Sequence, residues 1–271
     1  MKFFILVKMP KIPKIQYKPI MITMIILGGL ELLLFFESVW HGVLGGLAFI
    51  VLIGALWILN FDLRSKISRI SYIYFLIPNL LLLISGVIFA AFLQGFIFQQ
   101  ILVLIITTAF YILFRTFTAF LRKGFRFAPI SRNNLSLVTF FTAFLAYAVV
   151  YGSSIYFNWP GYLLIILVAF VSFLIFNQSF WQHDIFKSKR WVYILGLSFL
   201  MAEVALVMSY APINYLAGGL VFLVIYYVLW GLTQHYFEGV LTKRLVLEHV
   251  IIAFVALTLA LTTARWLPIA T

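Results

Sequence analysis

The chain contains no cysteine. That absence excludes disulfides, thiolate metal sites and a cysteine nucleophile, and in a membrane bundle it says little about redox compartment. Charge is scarce too: 10% of residues are Asp, Glu, Lys or Arg, against about 25% in soluble domains. The signatures of soluble chemistry are also missing. There is no H-E-x-x-H, His-x-x-His or paired-aspartate metal motif, and no G-x-S-x-G, P-loop or dinucleotide fingerprint. No loop is long enough to form a nucleotide-binding domain, so any ATPase that drives this protein is another chain. His183, His235 and His249, with Asp184, Glu238 and Glu248 nearby in sequence, read as interfacial hydrogen-bonding groups. Neither a metal nor a cofactor is expected.

What the chain has instead is apolar length. Sixty-five per cent of its 271 residues are hydrophobic and its mean hydropathy is +1.14. Apolar runs of roughly 18 residues or more cross a hydrocarbon core of about 30 Å. Stretches such as 21–36 and 162–176 are apolar on all sides, unlike the alternating strands of a membrane barrel. The fold class is an all-α integral membrane bundle of about nine transmembrane helices, at 19–38, 42–60, 72–93, 97–121, 135–156, 161–178, 191–210, 214–232 and 248–266. A basic, proline-containing tail (1–18) precedes this single polytopic domain (19–271). "MKFFILVK" is too short for the apolar core of a cleavable signal peptide, so the first span is expected to direct insertion.

Counting lysine and arginine orients the bundle. Of the nineteen, five lie in the tail and twelve in alternate connections: "DLRSKISR", "RKGFRFAPISRNN", "KSKR" and "LTKR". The turn-like connections between them hold none. Positive charge marks the cytoplasmic side, which places the N-terminus inside and the C-terminus outside, in a prokaryotic cytoplasmic membrane. The net charge of +12 is therefore a topology signal and does not point to nucleic acid. Trp40, Trp159 and Trp266 fall at outer span ends and Trp57, Trp181, Trp191 and Trp230 at inner ends, where indoles anchor in the headgroups. The 19% aromatic content reads as lipid-facing bulk.

One stretch occurs twice. "GGLAFIVLIGALWIL" (45–59) and "GGLVFLVIYYVLWGL" (218–232) agree at eight of fifteen positions. They sit in the second and eighth spans, so the echo implies a parallel hairpin repeat relating spans 1–2 to spans 7–8. Glycines in and just before it (Gly42 and Gly46, four residues apart at the first copy, and Gly218 and Gly219 in the second) suit close helix packing, since lipid gives apolar helices no hydrophobic reason to associate.

Each copy follows an acid in an apolar run, Glu31 or Glu203. Each acid lies 13 residues from a basic residue, Lys18 or Arg190, hence about 20 Å along its helix. Carboxylates at that depth face the interior, meet a partner or hold a proton, and intramembrane acids mark functional sites by default. Asn79, beside Pro78, and Gln94 are the other polar candidates at depth; most buried hydroxyls are expected to bond to their own helices. Arg122, Lys123, Arg126 and Arg132 make the densest basic loop. Arginine pairs well with phosphate, so this loop is a candidate contact for anionic lipid headgroups at the cytoplasmic face.

Three functions fit these features. The leading one is a small transporter or permease using Glu31 and Glu203 as proton- or cation-responsive groups. The second is a non-catalytic subunit or scaffold that packs against protein partners or further copies of itself. The third is an enzyme or translocase for lipid-linked substrates.

Overall fold

The computed structural model describes residues 17–35, 46–47, 50–51, 53–54, 69–122, 129–183, 190–211 and 213–264. They form eight helices: α1 (Tyr17–Phe35), α2 (Arg69–Phe92), α3 (Phe96–Arg122), α4 (Pro129–Tyr156), α5 (Gly161–Gln182), α6 (Arg190–Met208), α7 (Tyr215–Glu238) and α8 (Lys243–Thr263). The count is eight where nine spans were expected. The expected second span, 42–60, lies mostly outside the described residues; Gly46, Leu47, Ile50, Val51, Ile53 and Gly54 from it are described and helical. The tail up to residue 16 also lies outside them. Six helices, α3 to α8, are long and apolar enough to cross a membrane, as in an integral membrane protein.

The helices begin and end where local chemistry dictates, often beyond the apolar run. α4 starts at Pro129, six residues ahead of the hydropathy boundary, because proline suits the first helical position. The Asn214 side chain accepts from the Ala217 N–H at 3.0 Å and starts α7. Gly239 closes that helix with φ 73°, a left-handed conformation that glycine adopts without steric cost. Thr242 accepts from the Leu245 N–H at 3.3 Å at the start of α8. Hydropathy marks where lipid begins, whereas backbone hydrogen bonding continues past that line.

α4 is the axis of the bundle. It packs against α2, α3, α5 and α7, and among the six spans its residues are the most buried. α5 and α6 form the most extensive pair, α1 leans on α3, and α8 rests on α7 with most of its surface exposed. Two apolar cores result. One gathers Ile26, Leu82, Leu83, Phe110 and Phe114 around α1 to α3. The other gathers Tyr147, Phe176, Phe180, Phe222 and Tyr226 around α4 to α7.

These cores correct the aromatic reading. Phe110, Phe114, Phe176, Phe180 and Phe222 are fully enclosed, while Phe98, Phe170, Phe199 and Phe254 face outward. Trp181 and Trp230 are likewise buried rather than set among headgroups: Trp181 stacks on Tyr74 with centroids 5.5 Å apart, and Trp230 packs edge-on against Phe180. Aromatic rings supply large contact area in cores, and interhelical packing needs that area where lipid gives no net drive for association.

Candidate functional site

Glu31 on α1 is half-buried and accepts a hydrogen bond at Oε2 from Gln100 Nε2 of α3 at 2.9 Å, across 69 residues of sequence. Among the described residues this is its one hydrogen-bond partner. An amide meets a lone carboxyl in apolar surroundings better than lipid does, since hydrocarbon offers no donor. The preceding residue, Gln99, points elsewhere: its Nε2 donates to the carbonyls of Ala90 and Leu93 at 3.3 and 3.2 Å, tying α3 to the end of α2. Gln94 stands exposed in the connection between these helices, which turns at Gly95 with φ 102°.

A groove of about 420 Å³ lies between α1, α2 and α3, and Leu30 and Gln99, the sequence neighbours of Glu31 and Gln100, are in its walls. Leu30, Leu33 and Leu34 form one wall, Gly86, Val87, Ala90 and Ala91 a second, and Gln99, Val103 and Ile106 a third. Gly86 lies against Ile106 across the groove: a Cβ there would come within 2.6 Å of Ile106 Cδ1, and that side-chain end would have to shift. The groove is apolar along its length, with one amide in its wall and a carboxylate one residue away on α1. Such a lining accommodates a chain-like apolar body whose polar end carries a hydrogen-bond donor or positive charge.

Glu203 is placed differently. It is exposed on α6, on the side that also presents Phe199, Leu200, Leu206 and Val207. α6 packs on α5 and slightly on α7, whereas α1 packs on α3, so the two acids share a depth in sequence but occupy separate helix surfaces. The repeated stretches part company in the same way. In the first, Leu47 fills the space beside Gly29, and Gly54 receives Ile22, whose Cγ2 would lie 2.8 Å from an added Cβ; both contacts are with α1. In the second, a Cβ on Gly218 would run into the Tyr151 ring, and one on Gly219 would lie 2.6 Å from Ala148 Cβ, both on α4. Gly46 has no described atom within 4 Å of an added Cβ, and Gly42 lies outside the described residues.

The sequence reading passed over a buried polar centre. Asn177, Gln178, Ser179 and Gln182, in the last turns of α5, are all buried. Gln182 Nε2 donates to Thr139 Oγ1 of α4 at 2.7 Å, and the Ser179 and Tyr226 hydroxyls lie 2.7 Å apart. Higher in the bundle, the Tyr147 and Ser172 hydroxyls pair at 2.9 Å. Asn79 on α2 is wholly buried, next to Pro78, which has no N–H to give the Tyr74 carbonyl. Two cavities of about 10 Å³ flank Pro78, and Gln178 lines both; its Oε1 meets no donor among the described residues. Arg190 Nη2 donates to the Tyr74 hydroxyl at 2.6 Å, which fixes the ring stacked on Trp181. The available signal was a polar run, "NQS" then "QH", that keeps helical phase with buried aromatics. Ending the span at 178 treated it as interface.

At the same end of the bundle, Arg122 closes α3 and Arg132 is half-buried in the first turn of α4, while Lys123 and Arg126 lie outside the described residues. His183 Nε2 lies 3.5 Å from Ser136 Oγ, and its ring packs on Trp230. Burial, with the Arg132 charge adding to it and Glu238 opposing, lowers the His183 pKa to about 4. His249 stacks on Tyr227 and meets His235 edge-on. Among the described residues, no three His, Asp or Glu side chains form a group that could hold a metal.

Residues 18–263 match the model of a family described as "Protein of unknown function (DUF5656)". No curated protein and no solved structure matches the chain.

Proposed function

The chain belongs to the DUF5656 family, and we propose that it is a small membrane permease that takes an amphiphilic solute into the groove beside Glu31. The observation that carries this reading is the 420 Å³ apolar groove, whose wall residues Leu30 and Gln99 are the sequence neighbours of the hydrogen-bonded pair Glu31 and Gln100. The groove receives the apolar part of the solute. Its donor or cationic head replaces Gln100 at the carboxylate, so that Glu31 is the proton- or cation-responsive group. The positive-inside pattern supports a cytoplasmic N-terminus in a prokaryotic cytoplasmic membrane. Arg122, Lys123, Arg126 and Arg132 then contact anionic headgroups on the cytoplasmic side.

Binding and flux test this reading on the full chain in proteoliposomes. Fluorescent amphiphiles with cationic, neutral and anionic heads are offered, and the cationic probe is expected to bind best. Glu31→Gln lowers its binding about tenfold, and Ala91→Trp, which fills the groove from an exposed edge, abolishes both binding and flux. Unchanged flux in a folded Ala91→Trp protein would overturn the proposal.

The reading as a non-catalytic subunit draws on a different observation, the exposed carboxyl of Glu203 on the apolar outer side of α6. A scaffold of this kind engages its partner there and leaves the groove unused.

A further inference from the structure

One of the two cavities beside Pro78 lies between α2, α4 and α5. Ile77, Pro78 and Leu81 line it from α2, Thr139 and Thr142 from α4, and Gln178 from α5. Thr139, Thr142 and Gln178 are 5%, 2% and 2% exposed, so water outside the bundle does not reach them. The Thr139 hydroxyl donates to the Leu135 carbonyl at 2.9 Å and already accepts from Gln182. The Thr142 hydroxyl donates to the Val138 carbonyl at 2.8 Å. Gln178 Oε1 meets no donor among the described residues. Lone pairs are what the two hydroxyls and this amide oxygen have left to offer.

We infer that this cavity is a site for one sodium ion, held by Gln178 Oε1, Thr142 Oγ1 and Thr139 Oγ1. Its volume of about 10 Å³ has room for one body the size of a water molecule. A water would give its protons to two of these oxygens and leave its own lone pairs against Leu81 and Ile175, which donate nothing. A cation uses lone pairs alone. Calcium and magnesium call for carboxylates and more oxygens, and no acidic residue lines the cavity, so the ion is monovalent. Gln178 lies four residues from the end of α5 at Gln182, where the helix dipole is negative and favours a cation. Helix C-terminal ends coordinate sodium in transporter folds in the same way. The second cavity suits a cation less: Tyr74 lines it, and the Tyr74 hydroxyl receives Arg190 at 2.6 Å, so positive charge already stands beside it. Three neutral oxygens offset only part of the lost hydration, and binding is accordingly weak. The ligands belong to α4 and α5, so the site stands whether or not the groove between α1, α2 and α3 carries a solute.

Binding of radioactive sodium to the purified full chain, in choline medium, tests the site. The wild type is expected to bind sodium saturably, with lithium competing and the larger potassium ion not. Thr142→Val keeps the shape of the side chain and removes the hydroxyl; it and Gln178→Leu should each weaken binding about tenfold or more. Ser198→Ala, which removes a buried hydroxyl of α6 bonded to its own helix, should leave binding unchanged. Sodium should also raise the melting temperature of the wild type but not of Gln178→Leu, which in choline alone is no less stable than the wild type. No saturable sodium binding, as for a cavity that holds only water, would overturn the proposal. So would wild-type affinity in folded Thr142→Val and Gln178→Leu proteins.

Discussion

Gln100 on α3 holds Glu31 on α1 through a 2.9 Å hydrogen bond, a link between the chain's first described helix and the bundle. Polar contacts of this kind between membrane helices contribute about 0.6 kcal/mol on average and up to about 1.7. A double-mutant cycle of Glu31→Leu and Gln100→Leu, read by unfolding in detergent, is expected to show coupling in that range. Glu31→Gln should retain part of it, because a second amide still accepts. Strict additivity would mean that the pair contributes nothing to the docking of α1.

The sequence gives the distance of each acid along its helix but not the direction in which its carboxyl points. Counting from Lys18 and Arg190 placed both acids about 20 Å from the basic edge, but α1 and α6 are apolar on nearly every side, so no periodicity told which way each carboxyl points. The structure turns Glu31 toward α3 and leaves Glu203 outside, because α1 packs on α3 while α6 packs chiefly on α5. The start of α5 at Gly161 was readable from "NWPGY", since proline and glycine punctuate helices locally. The burial of Gln178 and Gln182 was not readable, because it depends on α2 and α4 closing around the end of α5. Hydropathy sums each residue alone and takes amides for a boundary. The echo "GGL" showed that backbones come close, without showing that one copy meets α1 and the other α4.

The glycines of α7 should be intolerant of any side chain. At Gly219 an added Cβ meets Ala148 Cβ at 2.6 Å and its Cα at 2.9 Å, and backbone cannot move aside as a flexible side chain would. Gly219→Ala is expected to cost about 1–3 kcal/mol, the usual range for overpacking. Gly28 of α1, with no described atom within 4 Å of an added Cβ, is the control: Gly28→Ala should leave stability unchanged or raise it by up to about 1 kcal/mol through helix propensity. Thermal unfolding of both variants in one detergent compares them directly, and equal losses would contradict this packing.

Two glutamines one turn apart on α5 should respond in opposite ways. Gln182 is bonded to Thr139, so Gln182→Leu removes a buried partner and is expected to cost about 1 kcal/mol. Gln178 is as deeply buried, but its Oε1 meets no donor among the described residues. Gln178→Leu should therefore be neutral or stabilising, since replacing an unsatisfied polar group with an apolar one removes its desolvation penalty. In sodium-free medium, the reverse order would mean that Gln178 has a hydrogen-bond partner beyond the described residues, and would overturn this account of the two side chains.

His183 should make stability fall with acidity over a defined interval. Its pKa is about 4 in the folded chain, against 6.5 for an unperturbed histidine, with burial the main cause and the Arg132 charge the second. Between those values the unfolded chain takes up a proton that the folded chain refuses, so stability rises with pH in this window. The stabilisation is complete above about pH 6.5, declines as the pH drops toward 4, and changes no further from this group below that. Glu238 opposes the shift, so Glu238→Gln should lower the pKa further and steepen the decline, whereas Arg132→Gln should make it shallower. His183→Gln removes the titration and should flatten the pH dependence between 6.5 and 4. Melting temperatures of the three variants and the wild type across that interval decide it: a wild-type profile that His183→Gln leaves unchanged would assign the acid sensitivity to other groups.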